Sequence, residues 1–246
     1  MADGNQDEPI RIRAKFHFDG GVEKVFNVAL HPKTLELIVP EIPSLPDWTY
    51  LQYQKCINSP LPDTVVRCPI AVNISRLIEE FKNFTSYEKT WIVVETVERT
   101  YGQETSIQNG LSSLLGIYMV ASGCPIMDNL RPMVRFHLPF ATTLETTYRS
   151  VSMYLIAQYF RSRRGLSADW KLEKLDDLYK KIAKVNKGLW GRLSKASTLD
   201  ANTNAIVMLN TFGDAIRFSM KKDFEEFIPY FEKYLHDDPP ENFPFF

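Results

Sequence analysis

Cysteine is scarce: Cys56, Cys68 and Cys124 are three in 246 residues, odd in number and widely spaced, unlike the even, dense sets that staple small secreted domains. A disulfide framework is excluded, and a reducing cytoplasm is the expected setting. Charge of one sign is also missing. Lysine plus arginine (29) against aspartate plus glutamate (30) leave a net charge of -1, so no global field draws in a polyanion, and a histone-like nucleic-acid binder is excluded. No apolar run reaches the roughly 20 residues that cross a bilayer. The longest stretch, Gly110 to Cys124, is interrupted by polar and small residues and reads as a buried helix. Residues Met1 to Glu8 are polar and acidic, without the basic and apolar regions of a secretory signal. There is no GxGxxG, no Walker loop, no Gly-x-Ser-x-Gly elbow and no His-Glu-x-x-His, so the common nucleotide, hydrolase and metalloprotease chemistries lose their markers. What is present is the composition of a globular protein, 44% hydrophobic and 24% charged.

Periodicity supplies the architecture. Ile10 to Phe18 alternates apolar with polar, Asp19-Gly20-Gly21 is a turn, and Glu23 to Leu30 is the return arm of a hairpin. Leu35 to Val39 is expected as a third strand, with further strands at Trp48 to Gln54 and near Thr64 to Cys68 inside a proline-rich stretch. Ile74, Leu77, Ile78 and Phe81 mark a helix with Asn73 as its cap. Trp91 to Thr96 and Arg99 to Thr105 form a ribbon. A helix from about Ser106 follows, in which Gly110 and Gly116 permit close approach of another backbone. Met133 to Leu138 alternates like a strand, with Arg135 and His137 on one face. Thr142-Thr143-Leu144-Glu145 is a capping box that starts a helix with the stripe Leu144, Tyr148, Val151, Leu155 and Tyr159, closed by Gly165. Leu175, Leu178, Ile182, Val185 and Leu189 define another helix, Asp200 caps the next, and Pro229 marks a boundary in the last helical segment. Strands precede helices, which predicts one α+β domain over 1–246: a β-rich antiparallel part at 9–105 packed on a mainly helical part at 106–238, with an extended aromatic tail at 239–246.

Cys124, Asp128, Arg131, Arg135 and His137 gather within fourteen residues. A thiol beside arginine with a histidine as base is the pattern of a cysteine nucleophile, with Cys124 and His137 catalytic and Arg135 as anion anchor. Gly-Cys-Pro is also how a helix ends, and a helix C-terminus raises a thiol pKa. The structural reading therefore carries more weight. Arg131, Arg135 and Arg149 are the candidate ligand-binding residues, for a carboxylate or phosphate, and the same arginines could serve internal salt bridges with Asp128, Glu145 or Glu95. Cys68-Pro69 and Cys124-Pro125 are similar to short motifs that bind haem through an axial thiolate. No cofactor is otherwise expected, and no cysteines or histidines are paired at zinc-site spacing.

Arg161 to Lys195 holds eleven basic residues against four acidic, flanked by Trp170 and Trp190, whereas Lys221 to Phe246 holds three against seven. The split favours protein association, with a partner or with a second copy, over nucleic acid or a membrane surface. Lys180, Lys184, Lys187, Trp190 and the aromatic tail residues Phe243, Phe245 and Phe246 are the expected contacts. The stretches Gly110 to Gly116, Ser122 to Pro125 and Arg131 to Pro139 resemble a bacterial domain-of-unknown-function family, from the first strands to about Gly165. The resemblance implies a bacterial cytoplasmic protein and brings no activity or ligand. The expected function is a non-enzymatic cytoplasmic binding or regulatory module acting through protein association. The alternatives are the Cys124 and His137 enzyme and haem or metal binding at the Cys-Pro pairs.

Overall fold

The computed structural model describes residues 8–40 and 42–235. The hairpin forms as its alternation requires: β1 (Ile10–His17) pairs antiparallel with β2 (Glu23–Leu30), setting Ile12 opposite Val28 and Ala14 opposite Phe26. Gly20 and Gly21 take the connecting turn at φ of 77° and 79°, where a side chain would be strained. The other edge of β1 pairs with β3 (Lys89–Glu95), which pairs with β4 (Thr100–Ser106). The sheet is antiparallel throughout, in the order β2-β1-β3-β4. Period-2 alternation buries Ile12, Ala14, Phe16, Phe26, Ile92 and Val94 on one face and leaves Arg11, Arg13 and Trp91 outside.

Two helices cover the buried face. α1 (Pro69–Phe81) starts four residues before the expected cap, because Pro69 fits the first helical turn, where its missing N–H is not needed. Cys68 is its N-cap residue, and Asn73 lies inside the helix, its Nδ2 donating to the Pro69 carbonyl at 2.8 Å. α1 ends on Phe81, whose ring centroid is 5.0 Å from that of Phe16 and 5.7 Å from that of Phe26. α2 (Ile107–Val120) crosses the sheet at Gly110, where a Cβ would come within 2.2 Å of Ile92 Cδ1. At Gly116 the nearest such contact is 3.7 Å, so that glycine does not serve the close approach expected of it.

Residues 31–40 and 42–68 are irregular. The expected strand at Leu35 to Val39 reduces to one bridge, Leu30 to Leu37, and those at Trp48 to Gln54 and Thr64 to Cys68 to the bridge Tyr50 to Arg67 and a single 3₁₀ turn at Asp47–Thr49. Five prolines from Pro40 to Pro62 remove the amide donors a ladder needs.

The helical part follows. The strand expected at Met133 to Leu138 is instead a short helix, α3 (Arg131–Arg135), with Pro132 in its first turn. Six residues of alternation cannot separate the two periods, and the proline decides. α4 (Thr143–Arg163) has the predicted capping box: Thr142 Oγ1 accepts from the Glu145 amide at 3.2 Å and Glu145 Oε2 accepts from the Thr142 amide at 2.8 Å. Gly165, at φ 69°, follows its end. α5 (Glu173–Ala196) buries Leu175, Ile182, Val185 and Leu189 as their spacing predicts. α6 (Ala201–Lys221) begins after Asp200, whose carboxylate accepts from the amide and hydroxyl of Ser86 and makes no cap hydrogen bond. α7 (Ile228–Leu235) places Pro229 in its first turn. The buried apolar residues form a continuous cluster from Ile12 in β1 to Ile216 in α6.

Candidate functional site

Between α2, α4, α5 and α6 lies a cavity of about 250 Å³. Its walls are mostly apolar, with Met119, Met127, Met133, Leu209, Phe212 and Ile216 facing it. Polar groups enter from three helices: Ser113 from α2, Arg149 from α4, and Tyr179 and Asn186 from α5, together with His137 just beyond α3. It exceeds the ~150 Å³ cavity that admits benzene in an engineered protein core.

The electrostatics of these groups are uneven. His137 Nε2 lies 2.9 Å from Ser113 Oγ. Burial, with the Arg149 charge adding to it, pushes the imidazole down to about 3, so it is neutral near pH 7. Arg149 donates through one terminal nitrogen to the carbonyls of Met133 at 3.0 Å and Phe136 at 2.7 Å, while its buried Nε has no partner. Among the described residues no carboxylate forms an ion pair with it, and Glu145 is held by Thr142. Burial accordingly lowers the guanidinium pKa. Tyr179 and Ser150 share a hydrogen bond of 2.6 Å. Asn186 is 3% exposed and its Oδ1 has no partner. Sequence reasoning passes over Asn186, although an amide among Ile182, Val185 and Leu189 on a buried stripe is the signal that marks it.

The sequence cluster is divided by the fold. Cys124 lies in a separate recess of about 20 Å³, with Cys56, Cys68 and Arg192, whereas His137 faces the large cavity. Burial raises the Cys124 thiol and drives Cys56 to about 11, so neither is an activated thiolate. Arg131 pairs with Asp128 and, at 3.3 Å, with Glu36; Arg135 reaches Glu98 at 3.3 Å. Only Arg149 of the three candidate arginines lines the cavity. Cys68 and Cys124, the expected haem or metal ligands, are both buried, and among the described residues no group of three or more His, Cys, Asp or Glu side chains is arranged to hold a metal ion.

A second feature is on the surface. α4 is inside out: Thr147, Ser150 and Gln158 are buried, while Ile156, Tyr159 and Phe160 are 55%, 54% and 57% exposed. Of the stripe read from the sequence, Leu144, Tyr148, Leu155 and Tyr159 are exposed, while Val151 packs with Met153 and Tyr154 against the core. Gln158 Oε1 accepts from the Asp169 amide at 2.9 Å, and the Tyr154 hydroxyl donates to Asp169 Oδ2 at 2.8 Å. Tyr148 and Phe227, 6.1 Å apart, continue the apolar surface towards α7, where Tyr230 and Tyr234 are exposed. Lys180, Lys184, Lys187 and Trp190 lie on the exposed side of α5, with Lys180 paired to Asp176 and Asp177. Phe243, Phe245 and Phe246 lie outside the described residues.

These elements define an α+β protein: a four-stranded antiparallel sheet carrying two helices, joined to a helical layer with an internal cavity. The chain belongs to the family described as Domain of unknown function (DUF6901), whose model matches residues 12–232. No curated protein and no solved structure matches it. Among the described residues no helix is long and apolar enough to cross a membrane.

Proposed function

We propose that this protein is a non-enzymatic binding module that pairs with a second copy of itself through the outer face of α4. The observation that carries the reading is the inverted amphipathicity of that helix. Apolar area in water at Leu155, Ile156, Tyr159 and Phe160 costs stability unless another surface covers it. Charge favours a second copy. α4 begins with Glu145 and ends with Arg161 and Arg163, followed by Arg164. Two such helices lying antiparallel across a two-fold axis bring the acidic start of each beside the basic end of the other, and oppose their dipoles. The buried, protonated Cys124 in its own recess supports the non-enzymatic side of the reading. Three free cysteines and the family resemblance support a bacterial cytoplasmic setting.

The test is solution mass at high micromolar concentration, by sedimentation or light scattering, for the wild type and for Ile156→Asp/Phe160→Asp. The wild type is expected as a dimer and the double variant as a folded monomer. Exposed substitutions of this kind cost the isolated chain only about 0.5 kcal/mol. A wild-type chain that runs as a monomer, or a variant that keeps the dimer mass, overturns the reading.

A further inference from the structure

We infer that the cavity between α2, α4, α5 and α6 binds a small amphipathic carboxylate, its apolar body among the methionine and aliphatic walls and its head on Arg149. This goes beyond the association reading and does not depend on it. Arg149 brings a positive charge to the cavity wall with which no carboxylate among the described residues forms an ion pair, Glu145 acting on it only from a longer distance, and its Nε–H is buried without an acceptor. A half-buried guanidinium without an ion pair is left incompletely compensated, and a carboxylate is the acceptor whose planar geometry matches it. Asn186 is 3% exposed and faces the same cavity from α5; its unpaired side-chain carbonyl is an acceptor, which suits a hydroxyl or amide N–H on the ligand's body and not the carboxylate.

The rest of the site fixes the class. His137 is neutral and engaged with Ser113, and Tyr179 with Ser150, so they are neutral hydrogen-bonding groups. Arg149 is the charged residue in the lining, which suits one negative charge better than the two of a phosphate monoester. Thioether and aliphatic walls adapt to an alkyl or aryl body without specifying its shape.

The test uses the purified full chain and molecules that share a body but differ in head: octanoate, 1-octanol and octylamine, with 4-phenylbutyrate as the aromatic acid. Binding is read by calorimetry and by the rise in melting temperature. Both acids are expected to bind about tenfold or more tightly than the alcohol, and the amine more weakly still. Arg149→Met is expected to remove the preference for the acids while leaving alcohol binding in place. The head-group series on the wild type decides the matter even if that variant folds poorly. If the alcohol binds as tightly as octanoate, or Arg149→Met keeps the preference, the carboxylate assignment is overturned. If none of the four binds at millimolar concentration, the cavity proposal itself is overturned. Neither result bears on the mass of the assembly.

Discussion

Of two arginines in the helical half, Arg192 is buried and Arg149 half-buried, and the space around them differs. Arg192, 1% exposed on α5, donates to the carbonyls of Trp48, Tyr50 at 2.7 Å and Leu51 at 2.9 Å, and so clamps the proline-rich segment against the helix. Its recess is nearly filled, at about 20 Å³. Arg149 donates to two carbonyls, one belonging to the exposed Phe136, and looks into about 250 Å³ of open space. Arg192 makes three hydrogen bonds to the segment it holds and has almost no space beside it, and its Nε, like that of Arg149, has no partner. Arg149 instead borders space that a ligand can enter, which is how binding sites differ from cores.

The sharpest way to break this comparison is to remove each charge. Arg192→Met strands three backbone carbonyls beneath the irregular segment and should cost about 3–5 kcal/mol, read as the urea unfolding midpoint. Arg149→Met should cost about 1 kcal/mol or less in the ligand-free protein, because the lost hydrogen bonds are partly offset by removing an uncompensated charge and one freed carbonyl can turn to water. Equal losses would mean that Arg149 is as structural as Arg192, and the contrast would collapse.

A glycine from each region sharpens the same point at lower energy. Gly188 and Gly116 both lie within helices, where alanine is intrinsically favoured by about 1 kcal/mol. At Gly188 a Cβ would meet Cys56 Sγ at 2.7 Å and the Cys56 Cα at 3.3 Å, so the recess must open. Gly188→Ala is expected to destabilise by about 1–3 kcal/mol. At Gly116, which faces the large cavity, the nearest contact is Leu209 Cδ2 at 3.7 Å. Gly116→Ala should be neutral or stabilising by up to about 1 kcal/mol. Thermal unfolding of the pair decides, and a loss at Gly116 like that at Gly188 would contradict the open side of the contrast.

The same contrast explains what the sequence could disclose. Elements built by their own periodicity are legible: the β1 and β2 hairpin, the buried stripe of α5, and the α4 capping box, whose two hydrogen bonds lie within four residues. Legibility fails where distant partners decide. α4 carries an apolar stripe, yet Asp169, beyond its end, anchors Gln158 and Tyr154, and all of that stripe but Val151 is exposed. Cys124 and His137, thirteen positions apart, are neighbours in sequence, but the α3 turn sends them to different cavities. Arg131, Arg135 and Arg149 read alike from the sequence as anion-ligand candidates, and the three have separate surroundings: Arg149 a cavity, Arg131 an ion pair with Asp128 and Arg135 one with Glu98. Spacing identifies a helix face; it does not identify what that face meets.

The smallest effect at neutral pH concerns His137, and its sign follows from the cavity. In the unfolded chain this imidazole titrates near 6.5, whereas in the folded protein burial, with Arg149 nearby, lowers it to about 3. Between these values the unfolded chain takes up a proton that the native chain refuses. Its neutral state therefore supports the fold above about pH 6.5, and that support is lost as pH falls towards 3, by at most about 1.4 kcal/mol per pH unit. His137→Gln keeps a hydrogen-bonding partner for Ser113 and removes the titration. Near pH 7 the two proteins should unfold at similar urea concentrations, and below pH 6 the wild type should lose stability more steeply. Subtracting one profile from the other cancels the carboxylates that titrate in the same window. Parallel profiles would show that His137 titrates in the fold as it does in the unfolded chain, so that the cavity gains a second positive charge only below about pH 6.5.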